Sequence, residues 1–181
     1  IKEEREGAVY EGEHWETFSF TKRDIFLSGT GPTGDTTFVG MEFTLYCEDD
    51  DVFGSSVTYN GDTYSIRRYD NAVLINGDEV VLRVNSDNGR VSCPYPLPKE
   101  DAGSGKRFYI KETYVPDDCG YKDYDDNKYY VIWNDGDSTI DYNSSRITVN
   151  GEPRTYSEGN AYNTPRMGEI IIEKYDDDSN D

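Results

Sequence analysis

Residues 57–66 read VTYNGDTYSI, which is two β-forming runs on either side of an Asn-Gly pair. Asn60 and Gly61 tolerate the positive φ angles of a two-residue hairpin turn, and β-branched and aromatic residues flank them. Three more Asn-Gly pairs occur in the chain, at residues 76–77, 88–89 and 150–151. The sequence therefore predicts a succession of β-hairpins.

The stretch Thr37–Cys47 adds a strand with one face on a core, because its residues alternate with a period of two. The face on the core contains Val39, Met41, Phe43, Leu45 and Cys47. Nowhere do apolar residues keep a helical period over several turns, and alanine, the best helix former, is scarce. We expect an all-β chain, an Ig-like antiparallel β-sandwich of about ten to twelve short strands elaborated by long loops.

Five further strands are predicted from β-forming runs, at Trp15–Phe20, Asp24–Ser28, Arg107–Tyr114, Lys128–Trp133 and Glu169–Tyr175. They lead to a domain division with an N-terminal strand or arm over residues 1–20, a β-sandwich domain over 21–175 and an acidic tail over 176–181. The Pro-rich loop at 94–106 is a candidate subdivision of the domain.

The charge of the chain excludes several classes of partner. The 181 residues include 37 acidic and 18 basic ones, for a formal net charge of −19. Nucleic acid and anionic lipid would be repelled by such a surface. No stretch approaches the roughly 20 apolar residues of a membrane span. We therefore expect no nucleic-acid partner and no membrane span.

The core that the sequence offers is thin, since hydrophobic residues make up only 34% of the chain and charged residues 30%. Sixteen tyrosines supply part of the missing apolar surface. A disulfide, bound cations or neighbouring subunits are the other candidates. Of the three cysteines, Cys93 and Cys119 are the preferred disulfide pair, because both lie beside loops that need pinning. Three unrelated buried thiols are the alternative.

Acidic loops make calcium a candidate ligand, because this hard cation takes several oxygen ligands from flexible segments. Asp135 and Asp137 have the Asp-x-Asp spacing of many calcium loops, and Asp141 follows them, although the full EF-hand pattern is absent. A solvated acidic face is the alternative interpretation. No other cofactor is expected.

Asn143-Ser144-Ser145 is a glycosylation sequon and suits a secreted or cell-surface protein.

Catalysis is not expected. The only histidine is His14, which excludes a multi-histidine metal centre within one chain. Residues 29–34 read GTGPTG, the letters of a dinucleotide loop, but a strand rather than a helix follows them, so the phosphate site is missing. Tyr121, Tyr124 and Tyr142 are candidates for an exposed platform that binds glycans or proteins.

The stretches VIWNDGDSTID at 131–141 and ITVNGE at 147–152 resemble the globular domains of archaeal surface-filament proteins, the archaellin and archaeal type IV pilin families. The resemblance implies a β-sandwich that assembles with identical subunits. The chain departs from these families because it lacks their N-terminal apolar helix. Either that helix has been removed, or assembly uses strand exchange instead, with Ala8–Phe20 completing the sheet of a neighbour.

The function expected from these observations is that of a non-enzymatic, extracellular structural or adhesive subunit of a cell-surface filament or envelope layer. Such a subunit acts through protein–protein contacts. Two alternatives remain: a calcium-stabilised carbohydrate-binding β-sandwich module with a glycan ligand, and a virion structural protein.

Overall fold

The structure of the chain is a computed structural model. It describes residues 9–11, 15–27, 29, 31–48, 56–98, 108–123, 126–134, 136–142, 146–149, 152–155 and 157–166. The predicted strand at Glu169–Tyr175, the predicted tail at 176–181 and most of the loop at 94–106 lie outside the described residues.

Strands account for the regular structure of the described residues, which contain no helix. Their bounds are β1 (Val9–Glu11), β2 (Trp15–Glu16), β3 (Ser19–Asp24), β4 (Glu42–Cys47), β5 (Ser56–Tyr59), β6 (Asp62–Tyr69), β7 (Ala72–Ile75), β8 (Asp78–Glu79), β9 (Val81–Arg83), β10 (Arg90–Ser92), β11 (Leu97–Pro98), β12 (Phe108–Tyr114), β13 (Tyr129–Ile132), β14 (Thr139–Tyr142), β15 (Arg146–Val149), β16 (Glu152–Thr155) and β17 (Asn160–Asn163). The prediction of an all-β chain is confirmed. The strands outnumber the expected about ten to twelve, partly because β2, β8 and β11 have only two residues each.

The large sheet has ten strands in the order β1-β5-β6-β7-β4-β12-β13-β14, with β8 on β7 and β9 on β4. A second sheet has the order β10-β3-β17, and β11-β2 and β15-β16 form two-stranded ladders. Most pairs are antiparallel, but β1 pairs with β5 and β17 pairs with β3 in parallel. These two parallel pairs bring distant parts of the chain together.

The three-stranded sheet packs on the large sheet and makes the fold a sandwich. Phe20 of β3 contacts Phe43 of β4 edge-on, with ring centroids 5.1 Å apart. Both rings belong to one buried apolar cluster that spans the two sheets. At the margin, the Ser19 backbone N–H donates to the Ser138 carbonyl oxygen at 3.1 Å, so the sheets are also linked by hydrogen bonds. The predicted β-sandwich is therefore confirmed.

Two of the four predicted Asn-Gly turns have the expected hairpin backbone, whereas at Asn88-Gly89 only the glycine has a positive φ, of 73°. Asn60 and Gly61 have φ angles of 51° and 86°, and Asn76 and Gly77 have 53° and 88°. Positive φ at both central residues is the type I′ geometry, which matches the twist of antiparallel strands. The β5–β6 and β7–β8 hairpins form around these two turns.

The predicted strand at Thr37–Cys47 begins late. From Glu42 onward the predicted apolar face lies on the core, with Phe43, Leu45 and Cys47 buried, although Thr44 on the other face is buried as well. Before it the chain turns, because the Met41 N–H donates to the Phe38 carbonyl oxygen at 3.2 Å and Gly40 has a φ of 92°. Val39 is therefore exposed rather than in the core.

The prediction of a strand at Asp24–Ser28 is wrong. β3 ends at Asp24, whose side-chain Oδ1 accepts the Phe26 N–H at 2.8 Å, and the Leu27 N–H donates to the Asp24 carbonyl oxygen at 3.3 Å. Aspartate commonly closes such a turn on its own backbone.

Within the described ranges no helix is long and apolar enough to cross a membrane.

Candidate functional site

The most unusual feature of the molecule is a set of ionisable and polar side chains inside the sandwich. Phe20, Lys22 and Asp24 alternate on the core face of β3, and the latter two have no solvent exposure. Glu112 on β12 and Asn163 on β17 are each 7% exposed. Charged groups are rarely buried so completely unless they are paired or hydrogen-bonded. We call Lys22, Asp24, Glu112, Tyr121 and Asn163 the buried polar cluster.

Lys22 lies over the ladder between β3 and β17. Its Nζ donates to the Ala161 carbonyl oxygen at 3.2 Å and to the Arg23 carbonyl oxygen at 3.3 Å. The same Nζ lies 5.5 Å from the centroid of the Phe38 ring. Carbonyl oxygens and an aromatic face thus surround this amine, with no access to solvent.

Asp24 accepts hydrogen bonds from three directions. Its Oδ2 accepts the Tyr121 hydroxyl at 2.9 Å and the Thr33 hydroxyl at 2.8 Å, while its Oδ1 accepts the Phe26 N–H. Burial and the nearby Asp24 carboxylate raise the pKa of Tyr121 to about 12, despite the opposing hydrogen bond from Thr36. Tyr121 is therefore a neutral donor that ties its loop to β3.

Glu112 and Asn163 join the two sheets. The Asn163 Nδ2 donates to Glu112 Oε1 at 2.6 Å, and both side chains point into the core. The Asn163 Oδ1 is buried and has no hydrogen-bond partner among the described residues. A buried polar atom without a partner is uncommon in native proteins and calls for an explanation.

Sequence reasoning missed most of this cluster. Lys22, Glu112 and Asn163 lie far apart in the chain, and charged or amide residues usually indicate a surface. A signal was present, however. Each of them lies two residues after a buried apolar residue of its own strand, on the same face of that strand. These apolar residues are Phe20 before Lys22, Ile110 before Glu112 and Ala161 before Asn163.

The calcium prediction concerned Asp135, Asp137 and Asp141. Asp137 lies exposed in the turn before β14, where its N–H donates to the Asn134 carbonyl oxygen at 3.1 Å. Asp141 lies half-buried on β14, opposite Tyr130. Asp135 lies outside the described residues. In the described segments no three His, Cys, Asp or Glu side chains are grouped so that they could hold a metal ion, and the calcium site stays a prediction.

The cysteines are free thiols, and all three are buried. The predicted disulfide between Cys93 and Cys119 is not formed. Each sulfur makes a hydrogen bond within its own loop. The Cys93 thiol donates to the Tyr95 carbonyl oxygen at 3.4 Å, and the Cys119 sulfur accepts the Tyr121 N–H at 3.4 Å. Burial raises the pKa of Cys93 to about 12, so this thiol is unreactive at neutral pH.

A row of tyrosines crosses the outer face of the large sheet. Tyr46, Tyr109 and Tyr130 are directly opposite one another on β4, β12 and β13, and we call them the tyrosine row. The rings of Tyr46 and Tyr109 are stacked, with centroids 5.3 Å apart. The Lys128 Nζ lies 4.8 Å from the centroid of the Tyr109 ring. The row uses these ring faces for contacts within the sheet, so it is a poor platform for stacking sugars.

The two described residues of the predicted tyrosine platform, Tyr121 and Tyr142, are not exposed. Tyr121 is completely buried, which corrects the expectation that it is exposed. Tyr142 is half-buried on β14, where its hydroxyl donates to Asn127 Oδ1 at 2.8 Å. Tyr124, the sequon residue Asn143 and His14 lie outside the described residues.

Comparison of the chain with protein-family models, curated proteins and solved structures finds no match in any of the three. The resemblance to archaeal surface-filament proteins therefore stays a prediction.

Proposed function

We propose that the protein is a non-enzymatic, extracellular structural or adhesive subunit, which assembles with copies of itself by exchanging its N-terminal strand. The observation that carries the proposal is the position of β1 at the end of the large sheet. Val9, Tyr10 and Glu11 pair in parallel with Ser56–Thr58 of β5, and among the described strands β5 alone lies beside β1 in that sheet.

A strand held at a sheet edge by its backbone ladder is suited to exchange. Its hydrogen bonds are made by backbone groups, which are the same in every copy of the chain. The β5 edge that it covers would otherwise present unpaired N–H and C=O groups, which attract strands from other molecules. When two copies exchange identical strands, each edge remains paired and the gain in contacts comes from association.

The outer face of the large sheet supports a role in protein contacts. Tyr69 of β6 lies in the same cross-strand row as Ala72 and Tyr46, and its side chain is 71% exposed. Tyrosine is enriched in protein interfaces because one ring supplies both apolar area and a hydroxyl. The acidic surface and the sequon at Asn143 suit the cell exterior.

The test uses the full chain with both Tyr10 and Glu11 replaced by proline, which removes two of the three backbone N–H groups of β1. The matched control replaces the same two residues by serine and keeps those N–H groups. We expect wild type and the serine variant to form oligomers or filaments, seen by light scattering and electron microscopy, and the proline variant to be monomeric. A wild-type chain that is monomeric over the concentration range of the assay contradicts the proposal.

A further inference from the structure

We propose that Lys22 and Asn163 are joined by an intramolecular amide bond, formed with Glu112 as the proton carrier. The bond would connect β3 to β17 inside the sandwich. The inference goes beyond the proposed function and is independent of strand exchange, because all three residues belong to one chain and lie away from β1.

The strand register brings the two reacting side chains together. In the parallel β3–β17 pair, Lys22 is opposite Ala161 and Asp24 is opposite Asn163. Ala161 and Asn163 are both on the buried face of β17, as Lys22 is on β3. Two residues along a strand span about 6.6 Å, which is within the reach of an extended lysine side chain.

The hydrogen bonds of the Lys22 amine also hold it near Asn163 along the ladder. The Lys22 Nζ bonds to the carbonyl oxygens of Ala161 and Arg23, and Arg23 is the register partner of Tyr162. Nζ is therefore held over the β3–β17 ladder at the level of Ala161 and Tyr162, the two residues that precede Asn163 on β17.

The carboxamide of Asn163 is held for loss of ammonia. Its Nδ2, the leaving atom, donates to Glu112 Oε1 at 2.6 Å. Its Oδ1 has no hydrogen-bond partner among the described residues, although Asn163 is only 7% exposed. A carboxylic acid at this distance can deliver a proton to the departing nitrogen.

The reaction balances without an oxidant, a reductant or another reactant. The neutral Lys22 amine attacks Asn163 Cγ, and a C–N bond forms between Nζ and Cγ. Glu112 accepts a proton from Nζ and passes a proton to Nδ2. The Cγ–Nδ2 bond then breaks and ammonia leaves. Attack requires the uncharged amine, and burial away from water disfavours the ammonium form of a lysine.

Glu112 is assigned the proton transfer rather than Asp24. Asp24 also lies in the cluster, but its two oxygens already accept hydrogen bonds from Tyr121, Thr33 and Phe26. Glu112 contacts the leaving nitrogen directly. Glu112 is thus in direct contact with the leaving nitrogen, which is one of the reacting atoms.

The bond is tested by mass spectrometry of the full wild-type chain under denaturing conditions. We expect an intact mass lower than the sequence mass by one ammonia, and a branched proteolytic peptide that joins Lys22 to Asn163. Because a succinimide at an Asn-Gly pair also loses ammonia, the branched peptide is the deciding observation. Recovery of residues 22 and 163 only in separate linear peptides overturns the proposal.

Variants test the role of Glu112. Glu112→Gln keeps the size of the side chain and can still hydrogen-bond to Asn163, but it cannot carry the proton. We expect it to lose the branched peptide, as Lys22→Arg and Asn163→Ala do. Glu42→Gln, a half-buried carboxylate on β4, is the matched control and keeps the branched peptide. A branched peptide at wild-type level in Glu112→Gln contradicts proton transfer by Glu112.

Discussion

At the scale of single residues, Tyr121 shows how one side chain fastens a loop to the core. Its hydroxyl donates to Asp24 and accepts the Thr33 N–H at 3.3 Å, and its ring packs on Phe38 with centroids 5.3 Å apart. The neighbouring sequence is polar, which predicts an exposed ring. Its partners lie on distant parts of the chain, so the local pattern could not reveal the burial.

Tyr121→Phe is predicted to destabilise the protein, because it leaves the buried Asp24 carboxylate with one donor fewer. We expect the free energy of unfolding, measured with urea, to fall by about 1.5–3 kcal/mol, as for hydrogen bonds to charged groups. Tyr69→Phe, at an exposed tyrosine, is the control and should change it by less than about 0.5 kcal/mol. Equal effects of the two substitutions would refute the role of the Tyr121 hydroxyl.

Stability is predicted to fall in alkali. The pKa of Tyr121 is raised from 10.0 to about 12 and that of Cys93 from 9.0 to about 12, so both groups stay protonated in the folded chain where the unfolded chain loses the proton. Their contribution is full below pH 9 and is lost as the pH rises toward 12. Urea titrations across this range test the trend, and Tyr121→Phe should show the shallower decline. A free energy of unfolding that is flat above pH 9 contradicts the prediction.

Gly89 provides a third test at this scale, because it is pressed against β3. It has a φ of 73°, and a Cβ atom there would lie 2.2 Å from the Lys22 carbonyl oxygen. Gly77 has a similar φ of 88° but open space around it. Gly77→Ala should cost about 1–2 kcal/mol for its backbone alone. Gly89→Ala should cost at least about twice as much by thermal or urea unfolding, since the backbone must also move. Equal costs would argue against close packing at Gly89.

At the scale of elements, the sequence predicted the hairpins that are closed by Asn-Gly turns, because turn chemistry is local. Asn60-Gly61 and Asn76-Gly77 have the expected backbone. The parallel β1–β5 and β3–β17 pairs were not predicted, since pairing between strands distant in the chain leaves no local signature. Val39 departs from the predicted alternation because the Gly40 turn delays the start of β4.

The tyrosine row is predicted to stabilise the centre of the large sheet. Tyr109→Ala removes the middle ring, which is 4% exposed and contacts Tyr46 and Tyr130. We expect a loss of about 3 kcal/mol in the free energy of unfolding, as for other buried aromatic side chains replaced by alanine. Tyr69→Ala, at an exposed tyrosine of the same sheet, should cost less than about 1 kcal/mol. A Tyr109→Ala variant as stable as Tyr69→Ala would contradict this account.

At the scale of the whole molecule, the thin core that the composition implied is supplemented from within the chain. No disulfide joins the three cysteines, and Cys93 and Cys119 are held separately. Instead, the buried polar cluster links β3 to β17 and, through Glu112, to the large sheet. The sequence predicted that the core needs support but not its source, because the cluster exists only once distant strands are paired.

The central claim is that β1 of one molecule can occupy the β5 edge of another. Mixing two variants that each carry one added cysteine tests it most directly, since the three native thiols are buried. Tyr10 and Val57 are register partners, and paired strands bring Cα atoms within disulfide range. Tyr10→Cys chains are mixed with Val57→Cys chains and oxidised, and Ser86→Cys, at an exposed loop residue, replaces Tyr10→Cys in the control. The account predicts disulfide-linked dimers that join position 10 of one chain to position 57 of another, above the control level. If that link forms only within the double variant Tyr10→Cys/Val57→Cys, β1 stays in its own chain and strand exchange is wrong.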